Sequence, residues 1–450
     1  KTMSDIWGGN CSKQIGFTLR VGGRGSDIND RRNWDAYLVD GEIKRLGPIE
    51  GKKMMGFPDD FILHPVRTQA MKQLGNSVCP DVVYFVAQQV KQYLIKNTQR
   101  TAMLEPSNNF KLNKGEWSEL YVFLYLLINN QLPFGSLLAT PDADYVNVIK
   151  IKHPHTKTDY ILNSGELEIV QLDNQQTQTI NISTILNKLD LHDLLQKIQT
   201  TSATTFNLPE LKFLLDKLTI TQHFKANSAT KGDLLISFAY QNMEVLEQSV
   251  GIKSYLGNPP TLLNSSSATN FIFELINFSD DMDKINQIAT RSKIKDRILQ
   301  IKLSSNGLKF IGCENSIHED NLRKVDSKMP EILASILLSY YSGEASKLTE
   351  FNLTEQQIVR IKDYLKAIVL GMFSSTSWDG NYTAHGYILL QQQGDLLLYH
   401  VIKDKILKDY LFLNARLDTP SSTRHRFGTI YRENNSYYIK LNLQIRMLGK

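Results

Sequence analysis

The chain has 450 residues, 42% hydrophobic and 22% charged, a soluble globular composition too long for one ordinary core. Its net charge of +5, from 51 basic and 46 acidic residues, permits nucleic-acid binding without demanding it, so local clustering matters more than the sum. Cys11, Cys79 and Cys313 form no CxxC pair and no apolar run reaches transmembrane length, which excludes a disulfide framework, a cysteine-rich zinc site and a membrane span, and suits a reducing cytoplasm.

In chain order, the start at Lys1 without an initiator methionine or signal peptide reads as a piece of a longer polypeptide. Residues 1–95 form the first block. Its Val21-Gly22-Gly23-Arg24-Gly25 run lacks the strand-turn-helix context of a dinucleotide loop, and Arg24 is read as a contact to a DNA backbone. Met54 to Phe61 and Lys72 to Val78 follow, and Asp81 to Leu94 has helical periodicity. The polar stretch 96–112, with Pro106, Ser107, Asn108 and Asn109, reads as a linker. A new domain, 113–450, opens at Asn113-Lys114-Gly115-Glu116-Trp117-Ser118-Glu119 and runs into an apolar helix that ends near Asn129-Asn130.

Residues 140–185 alternate as short strands with turns at Pro154 and Gly165, and Thr184 to Ile198 and Pro209 to Lys217 look helical. Asp233 opens an apolar run and Lys253 sits in a second, with Tyr240 to Glu247 between them as a polar turn. Asn270 to Asn277 reads as a strand, Asp326 to Tyr341 as a helix, and Thr354 with Gln357 as a capping box. The last block is strand-rich: Ile388 to Gln392 and Leu396 to Ile402 flank a Gly394-Asp395 hairpin turn, and Leu411 to Leu417 and Tyr437 to Arg446 add two strands.

Two adjacent strands that hold Asp233 and Lys253 side by side would carry the minimum of a metal-dependent nuclease: a carboxylate for a divalent cation and a lysine to activate water. A salt bridge between the two is the alternative. An acid two residues before the lysine would complete the pattern, but Gly251 stands there. The second carboxylate is therefore sought on the entry helix, where Glu116 and Glu119 share a face and Glu119 is preferred. A second constellation joins Arg416, the run Ser421, Ser422, Arg424, His425 and Arg426, and Arg446: hydroxyls and basic groups suited to phosphate and base contacts. His153, His155, His385 and His400 are read as solvent-facing or packed, and Trp378 to Asn381 as a turn.

Two resemblances follow from these segments. Arg45-Leu46, Gly56-Phe57-Pro58 and Gln73-Leu74-Gly75-Asn76-Ser77-Val78 are similar in order and spacing to the last two motifs of the cytosine-5 DNA methyltransferases, and the glycine-rich block before them resembles the end of their target-recognition region. That family's Pro-Cys-Gln nucleophile and Phe-x-Gly-x-Gly cofactor loop are absent, so residues 1–95 are expected to transfer no methyl group alone, with AdoMet belonging only to a missing front portion. Asn113 to Glu119, Gly251 to Gly257 with Thr261 to Asn264 and Ala268 to Phe271, Asn321-Leu322-Arg323, and Thr419 to Ser422 with Leu443 to Arg446 resemble the HpaII family of type II restriction endonucleases. The resemblance implies a mixed α/β, PD-(D/E)XK-like core with a strand-rich C-terminal DNA-binding part, preceded by the partial methyltransferase domain. It further implies Mg²⁺ as cofactor, Asp233 and Lys253 as catalytic core with Glu119 in support, and Asp233 and Glu119 as metal ligands. The expected partners are double-stranded DNA, cut at a short palindrome that the resemblance puts at CCGG, and a second copy of the chain. Two other classes stay open: a methyltransferase piece completed by a separate front half, and a DNA-binding protein without catalysis.

Overall fold

The computed structural model describes residues 2–20, 25–90, 111–152, 158–163, 165–173, 176–183, 190–220 and 231–449. The chain divides into a unit Lys1–Asn108 and a unit Asn109–Lys450. In the first, a hairpin of Ala36–Val39 and Glu42–Arg45 turns at Asp40 and Gly41, both at positive φ. Helices Pro48–Met54, which carries proline in its first turn, and Arg67–Gly75 close a small core of Trp34, Tyr37, Val39, Leu46, Met71 and Leu74.

The second unit starts with helix α1 (Lys114–Asn129). Asn113 and Glu116 build a reciprocal cap at its N-terminus: Asn113 Oδ1 accepts from Glu116 N at 3.0 Å, and Glu116 Oε2 accepts from Asn113 N at 2.8 Å. The helix buries Trp117, Leu120, Tyr121, Val122, Phe123, Leu124, Leu126 and Leu127, apolar on nearly every side because it runs through a core.

Six strands surround that core: β1 (Gln131–Gly135), β2 (Pro141–Lys152), β3 (Leu234–Tyr240), β4 (Met243–Ser254), β5 (Gly386–Leu390) and β6 (Leu396–His400). Their pairings form a closed circuit, β3–β4–β5–β6–β1–β2 and back to β3, with β4–β5 and β6–β1 parallel and the rest antiparallel. The long β2 manages this by pairing β1 over its first half and β3 over its second. Strands Thr158–Asn163, Glu166–Gln171 and Gln176–Asn181 extend the sheet outward from β2.

The C-terminal region adds a four-stranded antiparallel sheet, in the order Leu308–Cys313, Asn270–Leu275, Ser436–Asn442, Ile430–Glu433, and a three-stranded sheet of Thr261–Leu263, Ile445–Met447 and Ala415–Leu417. Helices Lys293–Ser304, Ser316–Val325, Met329–Ser342 and Glu355–Leu370 pack a second core against them. No helix of the described residues is long and apolar enough to cross a membrane.

Several expectations change. The polar turn read over Tyr240 to Glu247 is only Gln241-Asn242, both at positive φ, the two-residue hairpin geometry that matches strand twist. Met243 to Glu247 already belong to β4, and a register shift opposite Ser237 absorbs the polar residues. Leu411 to Leu417 is not one strand: helix Asp404–Leu413 precedes strand Ala415–Leu417, because Leu407, Tyr410 and Leu411 are apolar at helical spacing. Tyr437 to Arg446 is broken at Leu443-Gln444 between two sheets. Helix Lys293–Ser304 was not anticipated, although Ile294, Ile298 and Ile301 mark its buried face. The expected helix over Asp81 to Leu94 is helical through residue 90, and His153, Pro154 and His155 lie outside the described residues.

Candidate active site

Asp233 immediately precedes β3 and joins its ladder through one bond, Asp233 N donating to Val250 O at 2.8 Å. Its Oδ2 accepts from Ile252 N at 2.6 Å, so the carboxylate is tied to the neighbouring strand. Gly251 and Lys253 lie on one face of β4 by strand periodicity. Thus Asp233 and Lys253 come together as expected, on adjacent strands. Burial pushes the Lys253 ammonium pKa down, against the opposing pull of Asp233 and Glu119.

Glu119 enters from α1. Its pKa is pushed up to about 8, first by desolvation and then by the negative charges of Asp233 and Glu116, with Lys253 acting the other way. Desolvation also raises the Asp233 pKa, opposed by Lys253 and by the Ile252 amide. Of the two helix glutamates, Glu116 is the capping residue and Glu119 faces the aspartate–lysine pair.

Two contacts tie α1 to its surroundings: Ser254 Oγ donates to Ser118 Oγ at 2.8 Å, and Trp117 Nε1 donates to Phe206 O at 3.1 Å, while within the helix Ser118 Oγ donates to Lys114 O at 2.7 Å. The vacancy at position 251 has a steric reason: a Cβ there would sit 2.8 Å from Lys231 O and 3.8 Å from Asp233 Oδ2. A strand acid cannot occupy that position without moving the segment before Asp233.

Lys231 is a site neighbour to which the sequence reading gave no role. Its Nζ lies 3.9 Å from the Phe373 ring centroid, and desolvation followed by repulsion from Lys253 lowers its pKa to about 8. The signal was present in the Lys-Gly-Asp run, but a lysine two residues from an acid has no distinguishing pattern.

The basic C-terminal constellation splits in two. Arg416 and Arg446 are register partners in the three-stranded sheet, and both reach Asp418, Arg446 Nε at 2.7 Å and Arg416 Nη1 at 3.5 Å. Those two guanidinium groups are therefore engaged within the protein. Ser421 caps the short helix Ser422–His425 by accepting from Arg424 N at 3.3 Å, and Arg426 ends that helix in the left-handed region. Arg424 and Arg426 are exposed.

A buried polar network, which sequence reading did not foresee, supports this loop. Asn270 Nδ2 donates to His425 O at 3.0 Å and to Glu314 Oε2 at 2.6 Å, while Asn442 Nδ2 donates to Asn270 Oδ1 at 2.7 Å. His425 Nε2 lies 3.1 Å from Ser265 Oγ. Arg24 lies outside the described residues. His385 and His400, read as packed or solvent-facing, stack with ring centroids 6.4 Å apart, since His385 precedes Gly386, the register partner of His400.

The donor chemistry around Asp233 is carboxylate only. Among the described residues no group of three or more His, Cys, Asp and Glu could hold a metal ion. A pair of hard oxygen donors fits Mg²⁺, which keeps several of its waters and asks for one or two carboxylates, better than it fits Zn²⁺.

Residues 113–447 match the HpaII restriction endonuclease family, and the chain belongs to that family. It is 35% identical over 360 residues to the type II restriction enzyme HpaII of Haemophilus parainfluenzae, an alignment that covers 75% of this chain and 99% of that enzyme. Residues 11–92 match the C-5 cytosine-specific DNA methylase family. Over 51 residues the chain is 45% identical to the type II methyltransferase M.HhaI of Haemophilus parahaemolyticus, covering 11% of this chain and 16% of that protein. Over 78 residues it is 40% identical to M.MspI of Moraxella sp, covering 17% and 18%. The chain thus spans less than a fifth of either methyltransferase. No solved structure matches it.

Proposed function

We propose that residues 113–450 are a type II restriction endonuclease that hydrolyses phosphodiester bonds of double-stranded DNA at a short palindrome. The resemblance to the HpaII family puts that palindrome at CCGG. The observation that carries the reading is the convergence of Glu119, Asp233 and Lys253 from a helix and two adjacent strands. An acid opening one strand beside a lysine on the next supports a PD-(D/E)XK-like core, with the helix glutamate standing in for the strand acid that Gly251 excludes.

Asp233 and Glu119 would hold Mg²⁺, which when bound supplies Lewis-acid polarisation of a phosphoryl oxygen and a more acidic water. The protein's own residues do the rest. The Ile252 amide fixes one oxygen of Asp233 and leaves the other free to turn toward the ion. Buried Lys253 releases its proton more readily than a solvated lysine, so its Nζ can take the proton of the attacking water. As the water oxygen bonds to phosphorus, the bridging bond to the leaving oxygen breaks. Lys231, a second cation at the edge of the site, adds positive charge where the phosphoryl group gathers negative charge.

Residues 1–95 are, in the same reading, the closing part of a cytosine-5 methyltransferase joined by the linker 96–112, with no methyl transfer of their own. A cytoplasmic location and a homodimer on the palindrome belong to this reading as well. Incubating the purified chain with plasmid and Mg²⁺ tests it. Discrete fragments with common ends support the reading, and an intact plasmid or a non-specific smear counts against it.

A further inference from the structure

Beside the loop that carries Arg424 and Arg426 lies a cleft of about 470 Å³ lined by no carboxylate-bearing residue. One wall is the start of helix Lys293–Ser304 and brings Arg291, Lys293 and Lys295; the other is the Thr419–Thr423 loop with its hydroxyls; Tyr340 and Tyr341 lie between. Three basic residues and a run of hydroxyl-bearing residues thus line a space large enough for a phosphoryl group and several waters.

Two acids near the cleft make contacts of their own. Asp418, next to the loop, is paired with Arg446 and Arg416, and Asp296, in the first turn of the helix, accepts from Thr290 Oγ1 at 2.5 Å. Ser292 makes no side-chain capping bond; the Lys293 amide donates to Thr290 O at 3.2 Å, which leaves the next first-turn amides, of Ile294 and Lys295, as the donors a helix start can offer. Thr419 Oγ1 lies 2.8 Å from Tyr340 Oη, which anchors the hydroxyl wall to helix Met329–Ser342. Such a cleft offers charge, hydroxyl donors and shape to an anion that carries several acceptor oxygens.

We propose that this cleft is an anchoring subsite for a phosphate of the DNA backbone, distinct from the catalytic carboxylates, with Arg291, Lys293 and Lys295 as its cationic wall. The proposal rests on the reading of this unit as a DNA endonuclease. The same wall of the cleft belongs to the loop that presents Arg424 and Arg426, so a phosphate held here would fix the duplex beside those exposed side chains. The subsite supplies affinity, not base identity.

The test is binding of the triple variant Arg291→Ala, Lys293→Ala, Lys295→Ala to a duplex carrying the site mapped by the digest, measured without divalent ions from 50 to 200 mM salt. Losing the one phosphate contact should flatten the plot of log affinity against log salt by about one in slope, and weaken binding roughly tenfold at the lowest salt. Cleavage rate at saturating DNA and fragment ends should stay as in the wild type, and an unchanged melting temperature shows that the variant is folded. The charge-conserving Lys293→Arg should retain binding. If the wild type cuts DNA but the triple variant keeps its affinity and slope, the subsite is overturned while the nuclease reading stands. Stabilisation of the wild type by inorganic phosphate, lost in the triple variant without any change in DNA slope, assigns a small-anion site and also overturns it. If the wild type neither binds nor cuts DNA, the nuclease reading fails and takes the subsite with it.

Discussion

The hydroxyls of Ser118 and Ser254, 136 residues apart in sequence, meet at 2.8 Å and lock the entry helix to the end of β4. Each is adjacent to a residue of the proposed catalytic set, Glu119 on one side and Lys253 on the other. The bond thus sets where a helix carboxylate stands relative to a strand lysine. Replacing Ser254 by alanine should cost about 1 kcal/mol of stability, the net worth of one hydrogen bond. Cleavage should fall by about tenfold or more, because misplacing a catalytic group weighs more than losing the bond. Equilibrium denaturation beside single-turnover kinetics separates the two effects; a rate loss no greater than the stability loss would make the contact merely structural.

Position 251 gives a second prediction. Because a Cβ at Gly251 would press on Lys231 O at 2.8 Å, Gly251→Ala should destabilise the unit by about 1–3 kcal/mol, as overpacking does. Gly251→Glu combined with Glu119→Gln, which moves the carboxylate to the strand, should not restore cleavage. Restored activity in that double variant would show that the strand position is open to a working acid.

The metal-free site should respond to pH through Glu119. Its folded pKa of about 8 lies above the ordinary carboxylate value of 4.5, so its contribution to stability is present at low pH and is lost as pH rises through that window. Divalent binding needs the ionised form, so the apparent Mg²⁺ affinity should rise up to tenfold per pH unit as pH approaches about 8. Melting curves with and without Mg²⁺ at pH 6, 7 and 8 test this; Glu119→Gln should remove both the added stabilisation and its pH dependence.

Acid stability follows from a different group. His318 is fully buried, neither ring nitrogen has a hydrogen-bond partner in the structure, and desolvation lowers its pKa from 6.5 to about 4. A depressed histidine pKa means that the unfolded chain binds the proton first, so stability is intact above about 6.5 and falls as pH drops toward 4. The loss from pH 7 to pH 5 should be about 2 kcal/mol. His318→Leu should remove that contribution in denaturant titrations, leaving a dependence of similar size from buried His400, whose pKa desolvation also lowers to about 4.

Much of this was legible in the residues. The strands around Asp233 and Lys253, the Gly394 hairpin and the cap at Thr354 follow from local rules that tertiary packing did not override. The structure places Glu119 rather than Glu116 beside Asp233 and Lys253, for a reason hidden in the sequence: the Asn113 cap occupies Glu116, a bond visible only once the helix start is fixed. Other features depended on long-range contacts. Nothing near Ser118 points to Ser254, and the closed circuit of strands relies on β2 switching partners midway along its length. Nothing in the sequence shows that Arg416 and Arg446, both candidate DNA contacts, share a partner; sheet pairing brings both onto Asp418.

The most direct test of the central claim is site-specific cleavage and DNA binding measured side by side for Asp233→Ala and Lys253→Ala. Each variant should lose cleavage by at least a thousandfold while binding a duplex with the mapped site about as tightly as the wild type, since these residues act on the phosphoryl group rather than on recognition. Full cleavage by either variant would contradict the assignment.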